Sequence, residues 1–284
     1  MNIPLLLRPL SVDGHEIEMA ELLGEEQDRS AAIIHLHGKG GNFYSLPFRS
    51  LAPRLGPGMP VSYSLNMRSH DIGYSRGDLP AEDFPTGGDI AVSGGAWEDL
   101  NTGWRDLEIA VEYVLAAGAR RVYFVGHSSG AFYAVDYAAR RGADVPLAGL
   151  VLCSALTSNR MSLHRWFPDE EERERVRAQA RAMQASGHGN QLIPLPAWYG
   201  AISADSLLQR ERESPDHFAR ALSGVDAPVE FVWGAQESRA SQWRTLAEGH
   251  PRGSWTELSE TDHHYLGAER AFARSVEKFV SRTR

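Results

Sequence analysis

The stretch Arg121-Val-Tyr-Phe-Val-Gly-His-Ser-Ser-Gly-Ala-Phe-Tyr-Ala-Val-Asp-Tyr-Ala138 constrains the fold of this chain more than any other part of it. A β-branched and aromatic run, Val122 to Val125, stops at Gly126-His127-Ser128-Ser129-Gly130, and Ala131 to Arg141 continues with Ala and aromatic residues in the manner of a helix. A bare Gly-x-Ser-x-Gly arises by chance on the order of 0.2 times in a chain of this length and composition. The strand before it and the helix behind it are what give it meaning: they place Ser128 at the tip of a sharp strand-to-helix turn, where a nucleophile stands exposed. A backbone that tight lies in a sparsely populated region, and Gly126 and Gly130 remove the Cβ atoms that would collide as the two segments pass. Ser129 then opens a helix whose first N–H groups point at any negative charge developing beside Ser128.

The rest of the chain predicts an α/β architecture. Pro4 to Val12 and His15 to Leu23 read as a hairpin turned at Asp13-Gly14. Ala31 to His37 is a continuous apolar strand that ends in Gly38-Lys39-Gly40-Gly41-Asn42, with a short helix following to about Leu55 and another strand over Val61 to Asn66. Trp97 to Ala117 carries apolar residues at helical spacing, and Leu147 to Ala155 is a buried strand containing Cys153, the one cysteine. Strands resume at Pro228 to Trp233 and Gly253 to Leu258, and Gly267 to Thr283 closes the chain as an amphipathic helix. Strands alternating with helices imply a mostly parallel central sheet with helices on both faces.

Composition shifts in the middle of the chain. Residues 157–218 hold no strand of the same kind; they offer a charged helix from Asp169 to Gln184, a stretch broken by Gly and Pro, and a second helix from Ala204 to Glu213. The expected division is therefore a core of 1–156 with 219–284, and a helical lid inserted as 157–218. At 284 residues and 42% hydrophobic, the chain can bury one large core. Lys and Arg number 29 against 37 Asp and Glu, a net charge of −8 that argues against nucleic-acid or anionic-membrane partners and weakly favours neutral or cationic substrates. No stretch approaches a membrane span and the N-terminus lacks a cleavable signal, so a cytoplasmic location is expected.

An exposed serine becomes a nucleophile when a base takes its proton and an acid orients the base. The last strand ends in Ser259-Glu-Thr-Asp-His-His-Tyr265, which offers His263 and His264 as bases, of which only one can reach Ser128. The strand before it ends in Gly234-Ala-Gln-Glu-Ser238, so Glu237 leaves the sheet edge where a carboxylate can receive the imidazole N–H. Glu237 could instead serve the dipole of the helix that follows, and Asp262 is a competing partner, poorly placed because it adjoins the base. The glycine-rich loop after His37 can turn N–H groups toward Ser128, with the Lys39 N–H paired to that of Ser129. A phosphate-binding loop fits worse, because Lys39 is followed by Gly40 and not by Ser or Thr. His35 and His37 alternate as a metal pair would, yet no Asp, Glu or Cys cluster completes a site.

With these parts assembled, the chain resembles the α/β-hydrolase superfamily over its whole length apart from the inserted segment. Gly126 to Gly130, His37-Gly38 and Asp262-His263-His264-Tyr265, similar to the family's D-H-x-F ending, carry the resemblance. Gly38 to Tyr44, Asn66 to Asp71 and Gly94 to Glu98 are similar to the branch of siderophore esterase-like hydrolases. The resemblance implies an α/β-hydrolase fold and a serine esterase or lactonase acting through an acyl-enzyme, with Ser128 as nucleophile, His263 as base and no cofactor. Glu237 departs from the commoner aspartate. A thioesterase or amidase with the same triad, and a non-catalytic binding protein on the same fold, are the alternatives. Expected substrate contacts are Trp97, Trp166, Phe167, Trp198, Tyr199 and His70, with Ile193, Leu195, Asp71 and Glu98 nearby. A bulky ester or natural-product macrolactone is the expected ligand class.

Overall fold

The computed structural model describes residues 5–13, 15–22, 26–76, 91–159, 166–195 and 200–284. Its eight-stranded sheet runs in the order β1 (Leu5–Val12), β2 (His15–Leu22), β4 (Pro60–Leu65), β3 (Asp28–Leu36), β7 (Arg121–His127), β8 (Leu147–Cys153), β11 (Val229–Gly234) and β12 (Gly253–Leu258). The β1–β2 and β2–β4 pairs are antiparallel, and all the others are parallel. The hairpin register pairs Val12 with His15, as the Asp13-Gly14 turn predicts, and Asp13 takes the positive φ of 51° such a turn demands.

The inner strands read as continuous apolar runs because both faces of the sheet are covered. Along β3, Ala32, Ile34 and Leu36 enter one core while Ala31 and Ile33 enter the other, and β7 divides Val122 and Phe124 from Tyr123 and Val125 in the same way. The first core is closed by α2 (Trp104–Ala116), α3 (Ser129–Arg141), α6 (His217–Ser223) and α7 (Ala240–Gly249). The second is closed by α8 (Glu269–Arg282) and α1 (Phe48–Leu51). Cys153 is a buried free thiol on β8.

Helix α2 begins seven residues later than the spacing suggests. Gly95–Trp97 forms a 3₁₀ turn whose Gly95 and Ala96 N–H groups donate to the Asp71 and Ile72 carbonyls, so this backbone is tied to a neighbouring loop and does not enter the helix. β5 (Tyr74–Arg76) and β6 (Ala91–Ser93) form a small separate ribbon.

The segment between β8 and β11 holds α4 (Glu170–Ala185), α5 (Ala204–Arg212) and an antiparallel hairpin of β9 (Leu192–Pro194) with β10 (Ala201–Ser203), which the helical expectation missed because three-residue strands give no periodic signal. It has its own apolar cluster built on Trp166, Phe167, Val176, Ile193, Ile202 and Leu207. The compositional boundary at 218 falls inside α6, whose Phe218 and Leu222 pack into the main core.

Candidate active site

Ser128 sits between the last residue of β7 and the first of α3 with φ 55° and ψ −114°. For a residue with a Cβ this conformation costs about 1–3 kcal/mol and survives only where the surroundings enforce it. They do so here: the Ser128 N–H donates to the Cys153 carbonyl at 2.9 Å, and the Leu156 N–H donates to the Ser128 carbonyl at 3.0 Å. The turn is also too tight for flanking side chains. A Cβ on Gly126 would stand 2.6 Å from the Gly130 carbonyl, and one on Gly130 would fall onto the carbonyl oxygens of Leu36 and His37.

His263 Nδ1 lies 2.9 Å from Glu237 Oε2. The other carboxylate oxygen, Oε1, accepts from Ser154 Oγ at 2.5 Å and from the Gly234 N–H at 3.0 Å. Burial pushes the Glu237 pKa up, but these three donors outweigh it and hold the carboxyl below the ordinary glutamate value of 4.5. Glu237 precedes α7, which begins at Ala240, so it is not a first-turn acid of that helix. Asp262 accepts the His264 N–H at 2.9 Å and is exposed, outside any contact with the His263 ring nitrogens.

Three residues that sequence reasoning overlooked support this pair. The buried Tyr265 hydroxyl lies 2.6 Å from Ser154 Oγ and 3.0 Å from the Val232 carbonyl, which backs the serine that holds Glu237. His127 is buried, its Nε2 2.9 Å from the His263 carbonyl oxygen. Burial, with His263 beside it, pushes the His127 pKa well down, so it is a neutral imidazole that donates to that carbonyl and pins the loop carrying His263. Tyr265 could have been noticed two positions after His263; nothing in the sequence marks Ser154, which only the crossing from β8 brings to the acid.

The loop after β3 closes the other side of the serine. A Cβ on Gly38 would stand 3.2 Å from Ser128 Cβ, which gives the closeness of the approach. His37 fixes the loop's base: its Nδ1 is 2.8 Å from the Gly38 carbonyl, and its Nε2 accepts the Met67 N–H at 3.2 Å. Burial lowers its pKa to about 4, consistent with the neutral tautomer these two bonds require. His35 is buried, with its Nε2 3.1 Å from Ser62 Oγ. The Lys39 side chain turns inward, donating to the Gly95 carbonyl at 2.5 Å and to Glu98 Oε2 at 3.2 Å, which anchors the backbone of the loop from behind.

A cavity of about 750 Å³ joins these parts; Lys39, Ser128, Glu237, His263, His264 and Trp166 are all on its wall. Ser128 and His263 share this wall without a direct hydrogen bond, a contact that commonly closes only with substrate in place. Phe167, expected at the ligand, is buried instead in the small core of the inserted segment. Trp97 lines a second cavity of about 210 Å³ and donates its indole N–H to the Asn190 carbonyl, while His70 pairs with Asp71 at 2.8 Å and lines neither. Trp198 and Tyr199 lie outside the described residues. Among the described residues no helix is long and apolar enough to cross a membrane.

The profile of the Alpha/beta hydrolase family matches residues 33–282. No curated protein matches the chain in sequence. Among solved structures it is similar to Est1E from Butyrivibrio proteoclasticus with bound ferulic acid (14% identity, 97% of this chain and 98% of that one, TM-score 0.70). It is also similar to DcsB in complex with its substrate analogue (15%, 99% and 100%, TM-score 0.69) and to E-2-(acetamidomethylene)succinate hydrolase (16%, 98% and 100%, TM-score 0.61). At these identities the likeness is one of fold.

Proposed function

The chain belongs to the alpha/beta hydrolase family, and on that premise we propose that it is a serine hydrolase that cleaves a carboxylic ester or lactone through an acyl-enzyme. The observation that carries this reading is the Glu237–His263 hydrogen bond on the wall of the cavity that also exposes Ser128. Glu237 accepts the Nδ1 proton of His263, which leaves the Nε2 lone pair to take a proton from Ser128 Oγ. The freed oxygen attacks the carbonyl carbon, and the negative charge moves to the carbonyl oxygen. N–H groups of Lys39 and Ser129 receive that charge, the second reinforced by the positive end of α3. His263 returns the proton to the leaving alcohol, then draws one from water as it attacks the acyl-enzyme, and Ser128 is restored with release of the acid. The segment 157–218 serves as a lid, with Trp166 and Arg210 among its described residues on the cavity wall.

The test is a fluorophosphonate probe together with a panel of 4-nitrophenyl esters and lactones. Wild-type protein is labelled and turns over ester, and Ser128→Ala does neither. Absence of labelling in the wild type, or undiminished labelling in Ser128→Ala, refutes the reading.

A further inference from the structure

The Glu98 side chain is buried behind the wall of the main cavity, and three elements converge on its carboxylate. Lys39, from the loop after β3, donates its Nζ to Oε2 at 3.2 Å and to the Gly95 carbonyl at 2.5 Å, so these two bonds end on one short turn. Tyr133, one turn into α3 from Ser129, donates its hydroxyl to Oε1 at 2.7 Å. Arg210, on α5 of the inserted segment, donates its Nη2 to Oε2.

The backbone around Glu98 is gripped by the same helix. Ser206 Oγ donates to the Glu98 carbonyl at 2.9 Å, and the Leu100 N–H donates to Gln209 Oε1 at 3.1 Å. Ser206, Gln209 and Arg210 stand three and four residues apart from the first, which puts them on one face of α5. That face is the one seated on the turn. Arg210 is also fixed within its own segment, where Nη1 donates to Asn159 Oδ1 at 2.6 Å and Glu213 adds a second negative charge. Taking a carboxylate out of water is costly, and well-aligned donors offset that cost. A buried carboxylate engaged from three elements therefore resists the displacement of any one of them.

Two of those elements carry the N–H groups proposed to receive the oxyanion: Lys39 on its loop and Ser129 at the start of α3. Such donors act at about 2.7–3.1 Å from the developing charge, and a site of this kind tolerates misplacement of only about 0.5 Å. We propose that Glu98 is a positioning residue of the oxyanion site. By holding Lys39 and Tyr133 on one carboxylate it fixes the separation of the Lys39 and Ser129 N–H groups, and by holding Arg210 it makes the inserted segment part of the same clamp. Glu98 lines the smaller cavity and not the main one, so it acts on the reaction through Lys39. This inference rests on the serine-hydrolase reading.

The experiment is a double-mutant cycle on the full chain with Glu98→Gln and Lys39→Met, read on 4-nitrophenyl butyrate as kcat per active site titrated with a fluorophosphonate. Titration removes unfolded protein from the count. Gln keeps the shape of Glu98, with its oxygen toward the cations and its NH2 toward the Tyr133 oxygen, but gives up the charge that strengthens these bonds about twofold. Met removes both Lys39 bonds at nearly constant length. Each variant lowers kcat about tenfold with KM held within about threefold, a smaller loss than deleting an oxyanion donor outright. The pair together is no worse than Lys39→Met alone, because Glu98 then has nothing to act through. Two inhibitors separate positioning from folding. Trifluoromethyl hexyl ketone takes Ser128 Oγ at its carbonyl carbon, passes the serine proton to His263 and leaves the negative charge on the former carbonyl oxygen; methyl hexyl ketone binds without a stable adduct. Affinity for the first falls in step with kcat and affinity for the second is unchanged, whereas a residue that only supports the fold lowers Tm and moves neither. An unchanged kcat per titrated site in either single variant, a loss carried by KM or shared equally by both ketones, or multiplicative losses in the pair overturns the proposal. The hydrolase reading then stands, since wild type is still labelled and active. If Glu98→Gln does not fold, Tyr133→Phe replaces it in the cycle, leaving Glu98 with both cations; its several-fold loss of kcat vanishes in the Lys39→Met background, and no loss, or one that persists there, overturns the proposal. Wild type that is neither labelled nor active removes the hydrolase reading and this inference with it.

Discussion

Glu237→Gln exchanges a carboxylate for an amide of the same shape, and the structure determines which way that amide must face. Glu237 Oε1 receives two donors, Ser154 Oγ and the Gly234 N–H, while Oε2 receives His263 Nδ1. Ser154 can rotate its hydroxyl; the Gly234 N–H is main chain and cannot. Turning the amide nitrogen toward it would leave a donor facing a donor, at about 1–3 kcal/mol. The carbonyl oxygen of Gln therefore takes the Oε1 position and the NH2 group faces His263. Nδ1 must then accept, the ring proton moves to Nε2, and the nitrogen directed at Ser128 loses its lone pair. The imidazolium of the transition state also loses its counter-charge. In serine hydrolases generally this tautomer error lowers kcat on the order of 10³–10⁴-fold, or about 4–5.5 kcal/mol of transition-state stabilisation. The assay is steady-state hydrolysis of a 4-nitrophenyl ester with the rate of fluorophosphonate labelling alongside it, and circular dichroism to show an unchanged fold. A variant that folds normally and retains kcat within tenfold of wild type refutes the assignment of Glu237 as the orienting acid.

Further outcomes follow from the same geometry. Ser154→Ala deletes one of the two donors to Oε1 and is expected to lower kcat about tenfold, corresponding to roughly 1.5 kcal/mol for a hydrogen bond to a charged group, with little change in KM. Gly126→Ala places a methyl 2.6 Å from the Gly130 main chain, which cannot yield, and lowers Tm steeply in a thermal melt. Ser128→Gly abolishes turnover yet holds or raises Tm, since relief of about 1–3 kcal/mol of strain at φ 55° exceeds the roughly 0.5–1 kcal/mol entropic cost of glycine. Burial lowers the His35 pKa to about 3 from an ordinary 6.5, so the unfolded chain binds this proton first. Its neutral form therefore supports the fold above pH 6.5, and that support is lost progressively as pH falls from 6.5 toward 3. His35→Gln flattens the decline of denaturant stability over that window; an unaltered slope would contradict it.

The sequence by itself determined the alternation of strands and helices, because sheets covered on both faces demand the unbroken apolar runs at Ala31 to Leu36 and Val122 to Val125. It also determined Ser128, because the spacing of Gly126 and Gly130 around it is a steric necessity of so sharp a turn. His263 and Glu237 were legible as candidates, since each lies where a strand ends, but their choice over His264 and Asp262 is a matter of one residue's direction at a loop. Periodicity does not encode that. Helix α2 starts later than its apolar spacing predicts because a tertiary tie, Gly95 to Asp71, overrides local helix spacing. Of the expected contacts among the described residues, Trp166 lines the main cavity while Phe167, Trp97 and His70 do not; Trp166 and Phe167 both join the insertion's own core, and which of two adjacent aromatics also reaches the cavity is not encoded in their spacing. Only the tertiary structure brought Ser154 from β8 and Tyr265 from the last loop to one carboxylate, and set the sequence-distant Lys39 and Arg210 on one Glu98. Sequence patterns record neighbours along the chain, whereas the electrostatics of a cavity depend on which distant side chains the sheet crossings bring face to face.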